Sequence, residues 1–454
     1  MKKIQLTTVQ IIMLTFLAAI LAGSILLMLP ISTATGEWCP FITALFTSTT
    51  SVCVTGLVVV DTYSYWSVFG KVVILLLIQI GGFSVVIIWA RIMLFRHKNV
   101  SMRSRMLVRD YFNLDSMLGL ADFMKKVISG TLFVEGVGAL LYTLVLVPKN
   151  GVIKGLCQSV FTSVSAFCNA GIDIFGPDSL IPFRNNIAIN IITMALIIMG
   201  GLGFIVWFDV LKTGKECRKK KMSFRFFLGR LSEHTKLVLT ATLFLIISGA
   251  LIVMIGEFNN PKTLGEMSFG NKVMASLFQS VTFRTAGFAT VPQQDLSPFT
   301  CVAGLFYMLI GGSPTGTAGG IKTVTAAVIF LNTLSYIRQQ NEIEVFGRRI
   351  TPRMASRAIA IFMISFGMTI TFTELLLLTN NVEPLAALYE IFSATGTVGL
   401  SRALTPTLNS AGKVIVICSM YVGRIAPISM VLFFAGGNKT KNNISYPDGK
   451  FLIG

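Results

Sequence analysis

Charge is scarce in this chain. Only 13% of its 454 residues are charged while 53% are hydrophobic, a balance that excludes an ordinary soluble domain of this size. Acidic groups are the rarer sign: 20 Asp and Glu stand against 38 Lys and Arg. Histidine is nearly missing, and neither His97 nor His234 lies in a HExxH setting. No GxSxG stretch occurs, and no pair of acids is placed for catalysis in a membrane cavity. The chain therefore reads as a non-enzyme that needs no cofactor of its own. The seven cysteines are odd in number and include no CxxC pair, so no disulfide framework is indicated.

Apolar length is what the chain has. Hydrophobic runs fall at about 9–29, 68–94, 123–147, 186–211, 236–256, 299–337, 355–379 and 411–435. Each can cross a hydrocarbon layer of ~30 Å at ~1.5 Å per helical residue. The first run, behind Lys2 and Lys3, reads as a spanning helix rather than a cleaved signal. Eight spans leave both termini on one side. Most of the basic residues fall on that side too, which marks it as cytoplasmic. The net charge of +18 thus needs no nucleic acid to explain it. The basic run 218–221 reads as a topology signal or a lipid headgroup contact, with protein docking as the alternative.

A shorter segment sits between the members of each pair, at 39–52, 155–167, 270–283 and 384–395. A dozen helical residues cover only ~18 Å, so each must enter the membrane and return on the same side. Backbone at that depth is tolerated only where it lines a cavity or is buried in protein. The returns resemble one another: Val52-Cys53-Val54-Thr55-Gly56-Leu57, Phe167-Cys168-Asn169-Ala170-Gly171-Ile172, Phe283-Arg284-Thr285-Ala286-Gly287-Phe288 and Thr395-Gly396-Thr397-Val398-Gly399-Leu400. Their glycines are spaced by close to a quarter of the chain. Ten residues before each stands Phe46, Phe161, Leu277 or Tyr389, all suited to a packed half-helix. The expectation is an all-α polytopic membrane protein with four tandem helix–pore-loop–helix repeats around a central pore. It would hold eight transmembrane helices and four re-entrant pore helices, divided at 1–100, 101–218, 219–349 and 350–454.

Parallel repeats imply an axis along the membrane normal and a ring of carbonyls around it. Half-helices ending at the loops would direct partial negative charge inward, which favours cations. Asp61, Asp173, Asp178 and Asp295 add either a cation-attracting vestibule or ordinary solvated loop charge. The fourth loop, with Thr397, Val398 and Gly399, is close to the TVGYG filter of potassium channels, whose backbone carbonyls replace ion hydration.

The sixth run cannot stay helical through Gly311-Gly312-Ser313-Pro314-Thr315-Gly316-Thr317-Ala318-Gly319-Gly320. Each glycine costs ~1 kcal/mol and the proline ~3 kcal/mol relative to alanine. The helix must break at membrane depth below the third loop. It forms either a gate under the filter or a static kink. Lys322 closes the break and is either functional or snorkels to the surface. A phosphate-binding loop is excluded because Ile321 separates glycine from lysine. Arg424 lies inside the last run, where its charge could limit cation leak or bond the gate loop's carbonyls. Glu135 and Glu374 are expected as buried acids able to pair with Arg424 or Lys322. Arg284, beside the third loop, is expected behind the filter.

The motifs VCVTGL, FCNAGI, FRTAGF and TGTVGL resemble those of the Trk/Ktr/HKT superfamily of cation transporters, along essentially the whole chain. The ion-conducting Ktr subunit is the better match, since eight spans leave no room for the extra N-terminal helix pair of Trk-type subunits. The resemblance implies potassium uptake at the cell membrane, often promoted by sodium, with K+ held by filter carbonyls. It also implies a homodimer with one pore per protomer and a cytosolic ring of nucleotide-binding RCK subunits, which the basic linkers 96–109, 212–230 and 338–357 would meet. The short polar tail after 434 holds no soluble domain, so nucleotide sensing is expected from another chain. In related plant transporters a serine at the first filter position accompanies sodium preference; Gly56 resembles the potassium-selective branch. No loop carries the second glycine of TVGYG, which implies weaker selectivity than in a potassium channel. A sodium- or proton-coupled secondary transporter working by alternating access is the competing reading, because such proteins also use broken helices.

Overall fold

Four of the long apolar runs and all four short segments between them become helices of matching length. In the computed structural model, residues 8–83, 120–340 and 342–425 are described. The inner half of the run 68–94, the basic stretch 96–109 with His97, and everything after 425 lie outside them. So do both termini and the end of the last run, from 426 to 435.

Helices α1 (Thr8–Met28), α2 (Phe41–Cys53) and α3 (Val68–Phe83) come first, followed by α4 (Leu120–Asn150), α5 (Val152–Cys168) and α6 (Ile187–Leu202). Two further helices follow, α7 (Phe204–Lys219) and α8 (Phe224–Arg230). Next come α9 (Glu233–Glu257), α10 (Phe269–Phe283), α11 (Pro298–Leu309) and α12 (Thr323–Ile337). A hairpin of β1 (Ile343–Val345) and β2 (Arg348–Ile350) precedes α13 (Pro352–Thr379), α14 (Pro384–Gly396) and α15 (Ser410–Ile425). The fold is mostly helical.

The hairpin is a small addition to the helical architecture that was expected. Its turn places Phe346 at φ 49° and Gly347 at φ 72°, the doubly left-handed geometry that fits a two-residue hairpin. Among the described residues, four helices are long and apolar enough to cross a membrane alone: most of α1 and α4, and all of α9 and α13. A fifth crossing arises if α6 and α7 are counted together, but they meet at 97°. The run 186–211, expected as one span, is therefore an elbow. Gly203 at φ 89° makes the corner, and a side chain there would lie 2.3 Å from the Pro314 carbonyl oxygen.

Small residues set how closely the short helices dock. Ser48 of α2 donates to the Ile20 carbonyl of α1 at 2.6 Å. Ser163 of α5 donates to the Glu135 carbonyl of α4 at 2.7 Å. Ser280 of α10 donates to the Ile246 carbonyl of α9 at 2.8 Å. Opposite each serine stands a glycine, Gly23, Gly138 or Gly249, where a Cβ would meet the serine hydroxyl at about 2.5 Å or less. Close backbone approach with an interhelical hydroxyl bond is how helices associate where the surroundings are as apolar as the side chains.

Candidate ion pathway

Three of the four short helices end alike. In α2, the Thr55 N–H bonds Thr50 O while the Val54 N–H bonds Ser51 O. Ala170 and Asn169 do the same at the end of α5, and Val398 and Thr397 at the end of α14. This is a Schellman-type C-cap whose left-handed residue is not glycine. Val54 (φ 55°), Asn169 (φ 59°), Thr285 (φ 67°) and Thr397 (φ 53°) all hold left-handed backbone. Asparagine tolerates it, but three of the four are β-branched and strained there. Such strain costs of order 1–3 kcal/mol per residue and persists where function requires the geometry. Two residues on, Gly56 (φ 102°), Gly171 (φ 65°), Gly287 (φ 80°) and Gly399 (φ 91°) are left-handed again. Two left-handed residues separated by a single residue thus recur in all four loops.

The four loops close on one another in a ring. A Cβ on Gly56 would lie 2.5 Å from Ala170 O, and one on Gly171 would lie 2.6 Å from Ala286 O. On Gly287 it would meet Val398 O at 2.9 Å, and on Gly399 it would meet Thr55 O at 2.2 Å. Each glycine thus faces the middle carbonyl of the next loop, in cyclic order. All twelve residues of the four Xaa-Xaa-Gly triplets are buried or face the outer cavity.

The ring rests on hydroxyls that sequence reasoning missed. The Gly56 N–H donates to Thr50 Oγ1 at 2.9 Å and the Gly399 N–H to Ser393 Oγ at 3.0 Å. Ser165 donates to Ile172 O at 2.5 Å and Thr282 to Phe288 O at 2.7 Å. The signal was available: a hydroxyl precedes the glycine by six residues in the first, second and fourth loops. The third departs because its hydroxyl, on Thr282, stands one residue closer to the glycine. Phe278, not Leu277, is the buried aromatic there, which corrects the alignment on Leu277. The buried Thr285 and Thr397 hydroxyls have no hydrogen-bond partner among the described residues.

Above the ring lies an outer cavity of about 540 Å³ whose floor includes all four glycines and whose wall includes Asp61, Asp173 and Asp178. Asp295 is not part of it; its carboxylate lies 3.8 Å from Lys262. Asp173 accepts from Ser179 at 2.6 Å and from the Phe175 N–H at 3.2 Å. Burial nevertheless pushes its carboxyl up to about 6.

Below the ring, 310–322 crosses as an extended loop between α11 and α12. Its ends pair with each other as Ile310 and Ile321 in a parallel bridge. On one side it bonds the elbow of α6: the Ser313 N–H to Gly201 O at 2.8 Å, the Thr317 N–H to Gly200 O at 3.1 Å. Thr317 Oγ1 donates to Phe167 O at the end of α5 at 3.1 Å. On the other side Gly319 lies under the fourth loop, where a Cβ would sit 2.1 Å from Thr397 Oγ1. Lys322 donates to Ala318 O at 2.7 Å, inside its own loop, rather than reaching outward. Arg424 is buried and spans two elements, donating to Thr317 O and to Gly81 O of α3, each at 2.5 Å.

The acids do not join these cations. Glu135 instead accepts from Gln79 at 3.2 Å and faces the Cys168 thiol. Glu374 is exposed on α13, which corrects the expectation of a buried acid; the turn facing the core there is carried by Thr373 and Leu376. Arg284 is buried behind the third loop beside Gly201 and Gly312, and its Nε has no partner among the described residues. Glu390 of α14 was missed altogether. It is fully buried and accepts from Ser401 at 2.7 Å and from Thr405, bracing the outward return of the fourth loop.

The TrkH family, described as cation transport proteins, matches residues 4–444. The Ktr system potassium uptake protein B of Bacillus subtilis is 38% identical over 453 residues, covering 100% of this chain and 98% of that protein. The potassium/sodium uptake protein NtpJ of Enterococcus hirae is 35% identical, covering 99% of this chain and 98% of its own. The solved structure of the potassium transporter TrkH from Vibrio parahaemolyticus superposes with a TM-score of 0.74 over 95% of this chain and 86% of that one. At 17% identity it speaks for the fold alone. With a family match along nearly its whole length and full-length relatives above the level at which family membership is ambiguous, the chain belongs to the TrkH family of cation transport proteins, which are transporters and not enzymes.

Proposed function

We propose that this chain takes potassium into the cell through a single pathway, surrounded by four helix–loop–helix repeats with eight membrane spans and four re-entrant helices. Both termini are cytoplasmic in this reading. The carbonyls of Val54, Thr55, Asn169, Ala170, Thr285, Ala286, Thr397 and Val398, with the four glycines, replace the water around the ion. The observation that carries it is the cyclic ring in which every glycine abuts the next loop's carbonyl. A ring of carbonyls with no side chain in the way is the physical requirement for passing a dehydrated cation. The orphaned hydroxyls of Thr285 and Thr397 supply further acceptors at the ring.

The loop from Gly311 to Gly320, with Lys322, is the gate in this reading. It lies across the pathway under the fourth loop and is pinned by Arg424. The relatives' names support the cargo, since two are called uptake proteins for potassium or for potassium and sodium. The second name supports sodium as a further cargo, and we take sodium also as a promoter. The Ktr system naming supports a partner subunit, which we take as a cytosolic nucleotide-binding RCK ring acting on a homodimer.

Alternating access gains one observation: the α6–α7 elbow and the α11–α12 break lie side by side. Flux from reconstituted protein decides between the two. A pathway of this kind passes potassium and rubidium down their own gradients, more slowly passes sodium, and responds to membrane potential. Strict dependence on an opposing sodium or proton gradient would favour coupled transport, and no cation flux at all would end the proposal.

A further inference from the structure

The elbow joins the gate loop to a cytoplasmic arm that carries a dense cationic and aromatic surface. Helix α6 is 16 residues long, about 24 Å at 1.5 Å per residue, so it ends near the inner edge of a ~30 Å hydrocarbon layer. Helix α7 leaves it at 97° and runs along that edge. Its outer half exposes Lys212, Lys215, Arg218 and Lys219 around a shallow cavity that also includes Glu216. The next helix, α8, exposes Phe224 and Phe226, with Arg230 stacked over Phe226 at 5.1 Å. Exposed aromatic rings beside a dense cationic face are poorly suited to open water. They suit the headgroup boundary of a bilayer, where rings enter the acyl edge and cations meet phosphate.

The same arm reaches the gate. Thr315 caps α7: its carbonyl faces the Phe204 N–H at 3.4 Å and its hydroxyl faces the Ile205 N–H at 3.5 Å. Trp207 packs edge-on against Phe167 with ring centroids 5.6 Å apart, and Phe167 O is the acceptor for Thr317 of the loop. Further along, Asp209 holds the Ser232 N–H and hydroxyl at 2.9 Å, tying α7 to the start of α9.

We propose that α7 and α8 form an arm that docks on anionic phospholipid headgroups of the inner leaflet and, through Gly203 and Thr315, holds the gate loop in its crossing position. The coupling half rests on the gate reading above; the docking half does not. Charge complementarity selects the occupant, since an anionic leaflet attracts each nearby basic side chain by a factor of about five. A docked arm fixes the corner at Gly203, and the loop bonds the residues on both sides of that corner. Anionic lipid should therefore lower flux. This direction is diagnostic, because the negative surface potential alone concentrates cations and would raise it.

The test uses the full chain without any partner protein, in phosphatidylcholine or in phosphatidylcholine mixed with phosphatidylglycerol. Amide exchange over 204–230 should slow in the mixed lipid for the wild type. That slowing should vanish in the K212Q/K215Q/R218Q/K219Q variant, and F224S/F226S should weaken it separately. In mixed-lipid vesicles the fourfold variant should pass rubidium at least about fivefold faster than the wild type, the worth of a single basic side chain at such a surface. Equal exchange in the two lipids would overturn the docking and leave the arm to a protein partner. Lipid-dependent exchange with equal or lower flux in the variant would overturn the coupling. If shortening the gate loop also left flux unchanged, the failure would lie with the gate reading, and the exchange result would still decide the docking.

Discussion

Arg424 offers the sharpest test of how the pathway is held shut. Its guanidinium donates to Thr317 O of the crossing loop and to Gly81 O of α3. Only the first bond is lost when the loop moves, because Gly81 belongs to a helix that stays. A hydrogen bond to a charged group contributes roughly 1.5–3 kcal/mol. Removing it should therefore shift the loop toward leaving by a factor of about 10 to 150, at ~1.4 kcal/mol per decade. The loop would keep its neutral bonds from Ser313 and Thr317 to Gly201, Gly200 and Phe167, so it would not be wholly freed. We expect Arg424→Gln to raise rubidium flux in proteoliposomes by about an order of magnitude or more. Arg424→Lys separates two causes. It keeps the positive charge near the pathway but loses the planar fork that reaches two carbonyls at once. If the clamp matters, the lysine variant also gains flux; if only charge repulsion matters, it behaves as wild type. A folded glutamine variant, checked by thermal melting, with unchanged or reduced flux would refute the clamp.

Other outcomes follow from the same geometry. Gly56→Ser should raise sodium permeation relative to potassium, measured by competitive flux, and Gly399→Ser should be more damaging because its Cβ lies 2.2 Å from Thr55 O against 2.5 Å from Ala170 O at Gly56; unchanged selectivity in both would remove the ring from the filter. Shortening 311–320 should increase flux, and a loss in folded protein would count against a gate. Asp173, pushed up to about 6 by burial, carries its charge above that pH and loses it below. Cation influx should fall as external pH drops through about 6, and Asp173→Asn should flatten that step; a profile unchanged by the variant would exclude Asp173 from the vestibule.

The short helices were legible because half a bilayer's worth of apolar sequence followed by a small-residue return has few solutions. Residues 39–52 and 384–395 became α2 and α14 almost unchanged. The break in the sixth run was legible for an equally local reason, the helix cost of its glycines and proline. The elbow at Gly203 was not. Gly200, Gly201 and Gly203 read as ordinary small residues of a span, and only the carbonyl of Pro314, more than a hundred residues away, shows why the corner must be bare. The third pore helix misled for a similar reason. Aligning on Gly287 placed Leu277 where Phe278 packs, because a one-residue shortening is silent until the hydroxyl of Thr282 finds its carbonyl.

The sequence by itself determined that this is a mostly helical chain of a membrane transporter family, and where its short helices lie. Those properties follow from hydrophobic length and backbone preference, which act over a few residues at a time. Tertiary structure alone decided which groups meet. It gave Arg424 two carbonyls rather than an acid, Glu135 an amide rather than a cation, and Glu374 an exposed place on α13. A buried charge is satisfied by whichever polar groups packing brings within reach, and one dimension of sequence does not contain that distance.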